Sequence, residues 1–203
     1  MKFISTPQTL YHGTIEQNIG SFRTRLLDKR YWRPGRDFGP GFYTTNSLVQ
    51  ARKWARKAEK NAVPASRACV LEIQLTGVPE FFVPQVFLGM SVAWAEYIFA
   101  HRKVTNKGED PCIRHADLVI GPVADNDTGK IIQYALSLNK DHHWFYDKIT
   151  RSVKGSKLDA SKLGNQVVFC TEQWESSLRL LGYYIFTRGR WVYHDVSTTA
   201  ESL

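Results

Sequence analysis

The chain has 203 residues, 43% hydrophobic and 23% charged, with a formal net charge of +8 and a pI near 9.4. That length suits one domain over residues 1–203 with residues 183–203 as a C-terminal extension, and that composition suits an ordinary globular protein. No run of about 18 apolar residues exists to span a membrane. The basic balance fits attraction to nucleic acid or to an acidic protein.

Residues 1–6 carry neither the apolar segment nor the cleavage site of a secretory signal. Cys69, Cys112 and Cys170 show no Cys-x-x-Cys spacing, which fits a reduced, intracellular (cytoplasmic) chain with no metal site expected. Cys69 and Cys170 lie in apolar runs and are expected to be buried.

In chain order, residues 8–12 predict a short strand entering a turn at His12-Gly13-Thr14. The segment 15–37 carries Arg23, Arg25, Lys29, Arg30, Arg33 and Arg36 with Tyr31 and Trp32 interleaved, and closes on the turn chemistry of Arg33-Pro34-Gly35-Arg36. A strand over 41–45 leads to Asn46 or Ser47 as the N-cap of a helix. That helix gathers Leu48, Ala51, Trp54, Ala55, Ala58 and Ala62 on one face, with Arg52, Lys53, Arg56, Lys57 and Lys60 on the other.

Strands are expected over 68–75 and 78–83, a helix over 91–101, and a buried strand over 117–122 that ends at Gly121-Pro122. Asp127 or Thr128 caps a helix to about residue 138. Residues 139–162 are polar, mixed and expected to be mobile, with His142-His143 on the surface. A strand over 166–169 and a helix over 172–181 follow. A hairpin then turns at Thr187-Arg188-Gly189-Arg190, and residues 197–203 read as a loose tail. Strands interspersed with short helices give an α+β fold with bent or packed sheets.

Leu10-Tyr11-His12-Gly13-Thr14 and Phe38-Gly39-Pro40-Gly41-Phe42-Tyr43 resemble the first two catalytic motifs of ADP-ribosyltransferases, in the branch shared by diphtheria toxin and the poly-ADP-ribose polymerases, whose triad is His-Tyr-Glu. Asn165-Gln166 stands where that family carries its Asn-Glu pair. The run from Asp117 to Asn126 resembles a bacterial, toxin-related branch of the same superfamily. The matches span residues 10–172.

The resemblance implies two packed mixed or antiparallel sheets with flanking helices. It also implies NAD as the substrate and a macromolecular acceptor, nucleic acid or protein, with an antitoxin or immunity protein as a further partner. His12 would bond a ribose hydroxyl, the Gly13 backbone would hold the nicotinamide amide, Thr14 would shape the turn, and Tyr43 would stack on the nicotinamide ring. Gly41 allows close approach and a sharp entry to its strand. Trp54 either closes an aromatic sandwich on the ring or belongs to the core.

Gln166 can exchange a hydrogen bond with the ribose but cannot supply a full negative charge or act as a base. Either this branch turns over with glutamine, or the site binds NAD or ADP-ribose without reaction. Glu172 is a weak substitute, better suited to capping the next helix. Arg23 and Arg25 fall in the donor-loop region, where guanidinium suits pyrophosphate. Tyr31, Trp32 and Arg33 equally suit a nucleic-acid acceptor. Asp125 either orients the acceptor or belongs to a helix-capping cluster. NAD hydrolysis without transfer, and a non-catalytic nucleotide- or nucleic-acid-binding module, are the alternatives.

Overall fold

The structure is a computed structural model that describes residues 9–124, 128–151 and 164–196. Its elements, in chain order, are β1 (Thr9–Ile15), α1 (Ile19–Thr24), β2 (Phe42–Thr45), α2 (Leu48–Lys60), β3 (Ala68–Leu75), β4 (Pro84–Val86), α3 (Val92–Lys103), β5 (Leu118–Pro122), α4 (Thr128–Ser137), α5 (His142–Ile149), β6 (Asn165–Phe169), β7 (Leu178–Thr187) and β8 (Arg190–Asp195). The fold is α+β, as the sequence pattern implies. No described helix is long and apolar enough to cross a membrane. The chain forms two compact units.

The first unit comprises residues 9–28, 43–81 and 172–196. Its strands are antiparallel in the order β2, β1, β3, β7, β8. α2 lies on this sheet through Ala51 and Ala55, both fully buried with Ala68 and Val70, and Tyr11, Leu48, Tyr184, Phe186 and Trp191 pack around them. Alanines on the inner face let the helix backbone come close to the strands. Ser47 caps α2, its hydroxyl accepting from the Gln50 N–H at 3.2 Å.

The second unit comprises residues 29–42, 82–124, 128–151 and 164–171. Here β4 and β5 are parallel and β5 and β6 antiparallel. α3 buries Trp94, Ala95, Ile98 and Phe99, and Phe99 meets Phe145 of α5 with ring centroids 5.5 Å apart.

Several local expectations change. His12-Gly13-Thr14 is not a turn: β1 runs on to Ile15, because β3 pairs with every residue from Thr9 to Ile15. The strand expected over 78–83 is displaced to Pro84–Val86, where β5 supplies the partner. The helix expected over 172–181 is a 3₁₀ segment, Glu172–Ser177, followed by β7, since Leu178, Arg179 and Leu180 are drawn into register with Leu75, Gln74 and Ile73. Within the polar stretch 139–162, Asp141 caps α5, accepting from the Trp144 N–H at 2.9 Å, and Phe145 and Ile149 bury one turn apart. The remainder of that stretch, residues 152–162, lies outside the described residues, as does the tail 197–203.

The terminal hairpin forms as expected. Residues 183–187 and 190–195 are paired strands of the first unit's sheet, and Arg188 and Gly189 both take positive φ (48° and 80°) at the two-residue turn. Cys69 is fully buried, Cys170 is half-buried, and all three cysteines are free thiols.

Candidate active site

The first two motifs meet on neighbouring strands. β1 and β2 are antiparallel with Tyr11 opposite Thr45, a register that brings Tyr43 opposite Gly13, one residue on from His12. His12 Nδ1 lies 2.7 Å from the Tyr43 carbonyl oxygen. A carbonyl only accepts, so Nδ1 carries the proton and Nε2 the lone pair. The ring also meets Phe22 of α1 edge-on, centroids 5.3 Å apart. Both His12 and Tyr43 are half-buried.

Gly13 is fixed by packing. A Cβ there would fall 2.7 Å from the Ala55 nitrogen and 2.8 Å from the Trp54 Cβ, and closer still to the Ala51 carbonyl oxygen. These atoms belong to α2, so no side chain could make room by rotating. Trp54 thus stands against Gly13 and stays half-buried, outside the fully buried core. Thr14 is buried, and its hydroxyl accepts from the Asn18 side-chain amide at 3.0 Å.

Of the two donor-loop arginines, Arg25 pairs with Glu172 at 3.1 Å and Arg23 is exposed. Glu172, in the first turn of the 3₁₀ segment, thus ties to the residue that ends α1. Glu175 reinforces it, accepting from the backbone N–H groups of Leu26 (2.9 Å) and Leu27 (2.6 Å).

Gln166 belongs to the second unit. It is 2% exposed, and its Nε2 donates to Asp37 Oδ2 at 3.5 Å and to the Pro122 carbonyl at 3.4 Å. Asp37 in turn binds Arg102, whose Nη2 and Nε lie 2.6 and 2.7 Å from Oδ1. Arg102 also donates to the Thr128 hydroxyl at 2.9 Å and the Gly35 carbonyl at 3.0 Å. The result is a buried, charge-compensated network with the Gln166 amide at one end.

Sequence reading singled out neither Asp37 nor Arg102 for this role. The available signal was an acidic residue directly before the Phe38-Gly39 motif. Gly41 is held by β6: a Cβ on it would meet Val168 Cγ1 at 2.7 Å and the Phe169 carbonyl at 2.8 Å. Of the acceptor candidates, Tyr31 and Arg33 are exposed and Trp32 is half-buried, all in the second unit. Asp125 lies outside the described residues. His142 is half-buried and His143 exposed, with their rings 4.4 Å apart.

The first unit also carries an open groove of about 550 Å³, walled by Arg52, Lys53, Arg56, Lys57 and Lys60 of α2 and by Phe186 and Trp191 of the terminal hairpin. The Arg52 guanidinium lies 5.3 Å from the Trp191 ring centre and 5.6 Å from that of Tyr184. Arg56 sits 4.1 Å over Phe186 and pairs with Glu59. Guanidinium groups held within reach of aromatic rings concentrate positive charge on one face.

Comparison with known proteins found no match among curated proteins or solved structures. One family model, "Protein of unknown function (DUF3990)", matches residues 8–180. With most of its length covered by that match, the chain belongs to the DUF3990 family.

Proposed function

We propose that this chain is a mono-ADP-ribosyltransferase that takes NAD as donor and a nucleic acid as acceptor. The observation that carries the reading is the junction of β1 and β2, where His12 Nδ1 is tied to the Tyr43 carbonyl and Gly13 is flush with α2. In this reading the lone pair on His12 Nε2 receives a ribose hydroxyl and the Tyr43 ring stacks on nicotinamide. Such contacts orient NAD for departure of its base.

The C–N glycosidic bond breaks with its electron pair leaving on nicotinamide. The cationic ribose is then captured by an oxygen or nitrogen of the acceptor, which gives up a proton. The resemblance supplies the reaction class, and the basic, aromatic groove favours nucleic acid over protein as acceptor.

A second reading is a binding module that holds NAD or ADP-ribose without turnover. The burial of Gln166 and its ties to Asp37 and Pro122 favour it, because that amide is already engaged within the protein.

The test is incubation of the purified chain with label on the ADP-ribose half of NAD, in the presence of RNA, DNA and total cell protein in turn. The proposal expects label on a nucleic-acid fraction and its loss in Tyr43→Ala. Label on protein alone would overturn the acceptor assignment. NAD binding with no transfer to any fraction would establish the second reading.

A further inference from the structure

We propose that the second unit holds a site for a tetrahedral transition-metal ion, zinc in the first instance, built from His101, Asp110 and Cys112. The three come from the last turn of α3 and the loop that follows it. Their donor atoms all lie within 4.8 Å of one another. His101 Nε2 is 3.7 Å from Cys112 Sγ and 3.7 Å from Asp110 Oδ1. Zinc–ligand bonds of about 2.0–2.3 Å at tetrahedral angles separate neighbouring ligand atoms by roughly 3.4–3.6 Å. The observed separations lie close to that edge length, whereas 3.7 Å is too long for a hydrogen bond between an imidazole nitrogen and a carboxylate oxygen.

The surroundings of His101 are those of a ligand. Its Nδ1 donates to the Tyr97 carbonyl at 2.8 Å, one helical turn back, which leaves the lone pair on Nε2. Its ring lies 4.1 Å from that of Tyr97 and is 1% exposed, so the direction of Nε2 is fixed by packing. The donor set of one thiolate, one imidazole and one carboxylate matches zinc chemistry and leaves a fourth position for water.

His115 stands at the edge. Its Nε2 is 3.9 Å from Asp110 Oδ2, 3.1 Å from the Phe38 carbonyl and 3.5 Å from the Tyr97 hydroxyl, and its Nδ1 is 2.8 Å from the Ala116 carbonyl. Its short contacts are thus to the Phe38 and Ala116 carbonyls, which hold its ring beside the cluster, outside the ligand set. Gly39, at φ 78°, closes the wall: a Cβ there would fall 2.7 Å from His115 Nε2 and 2.9 Å from His101 Cδ2. Part of the glycine requirement in the Phe38-Gly39 motif thus comes from this pair of imidazoles.

The experiment strips the full chain with a chelator, confirms its fold by circular dichroism, and titrates zinc against a chromophoric chelator. One zinc per chain is expected, with affinity falling more than about 10- to 100-fold in Cys112→Ser. Cobalt in place of zinc should give a thiolate-to-metal absorption band in the near ultraviolet that Cys112→Ser abolishes. Because His101 is buried, Asp110→Asn serves as the second variant if His101→Asn fails to fold. Absence of stoichiometric zinc uptake by the folded chain would overturn the proposal. So would an affinity unchanged in both Cys112→Ser and Asp110→Asn.

Discussion

Replacing Gln166 with glutamate introduces the residue type that the proposed resemblance to the His-Tyr-Glu branch would call for, and the structure predicts what that costs. The native Nε2 donates to Asp37 Oδ2 and the Pro122 carbonyl, at 3.5 and 3.4 Å. Gln166→Glu sets an acceptor against two acceptors. Two unit charges about 3.5 Å apart repel by about 5 kcal/mol at an effective dielectric of 20. The alternative is to keep the new carboxyl protonated, which against an ordinary glutamate pKa of about 4.3 costs about 4 kcal/mol at pH 7.5.

Arg102, already bound to Asp37, offsets part of either cost, so the expected loss is about 2–4 kcal/mol at pH 7.5. The folded-state pKa of the new carboxyl is raised above its unfolded value. Its penalty is therefore absent below the unfolded pKa and grows as pH rises, falling to about 1 kcal/mol at pH 5. Urea unfolding of variant and parent at both pH values, followed by tryptophan fluorescence, reads the difference directly. A variant as stable as the parent at pH 7.5, or a loss independent of pH, would refute the claim that Gln166 is committed to Asp37.

Three further outcomes follow from other parts of the molecule. Gly13→Ala pushes a Cβ into the α2 backbone and should cost about 1–3 kcal/mol while weakening NAD binding. Unchanged urea stability would show that α2 does not rest on that glycine. Burial pushes the Cys69 thiol up to about 12, and burial with Glu72 raises Tyr11 and Tyr184. These groups are neutral when protonated, so their stabilisation is complete below the unfolded pKa values and is lost as pH rises from about 9 towards 12, with Cys69 alone contributing on the order of 4 kcal/mol. A urea midpoint that stays flat to pH 11 would contradict this. For the groove, Lys53→Ala with Lys57→Ala should reduce the slope of log affinity for single-stranded nucleic acid against log salt by about 1.4, and an unchanged slope would place the nucleic acid elsewhere.

Much of the fold can be read from periodicity. The inner alanines of α2, the apolar run of β3 and the turn at Arg188-Gly189 each carry a local signal strong enough to fix the element. Elsewhere strand pairing overrides local preference. Leu178 to Leu180 could continue a helix, yet β3 recruits them as strand, and the same partner carries β1 straight through His12-Gly13-Thr14.

The candidate site shows the same division. His12 and Tyr43 are marked by motifs with glycine at their sides, so sequence alone singles them out. Asp37, Arg102 and Thr128 lie 65 and 26 positions apart along the chain and form one network only after folding. The His101, Asp110 and Cys112 cluster joins a helix end to an irregular loop, a combination with no fixed spacing to read.

The central claim is that His12 acts on NAD, and nicotinamide release by the parent chain and by His12→Ala tests it most directly. The account predicts steady release by the parent and a fall of about 10²-fold or more in the variant, with circular dichroism showing the variant folded. Equal release from both proteins, or a parent chain that neither binds NAD nor releases nicotinamide, would contradict it.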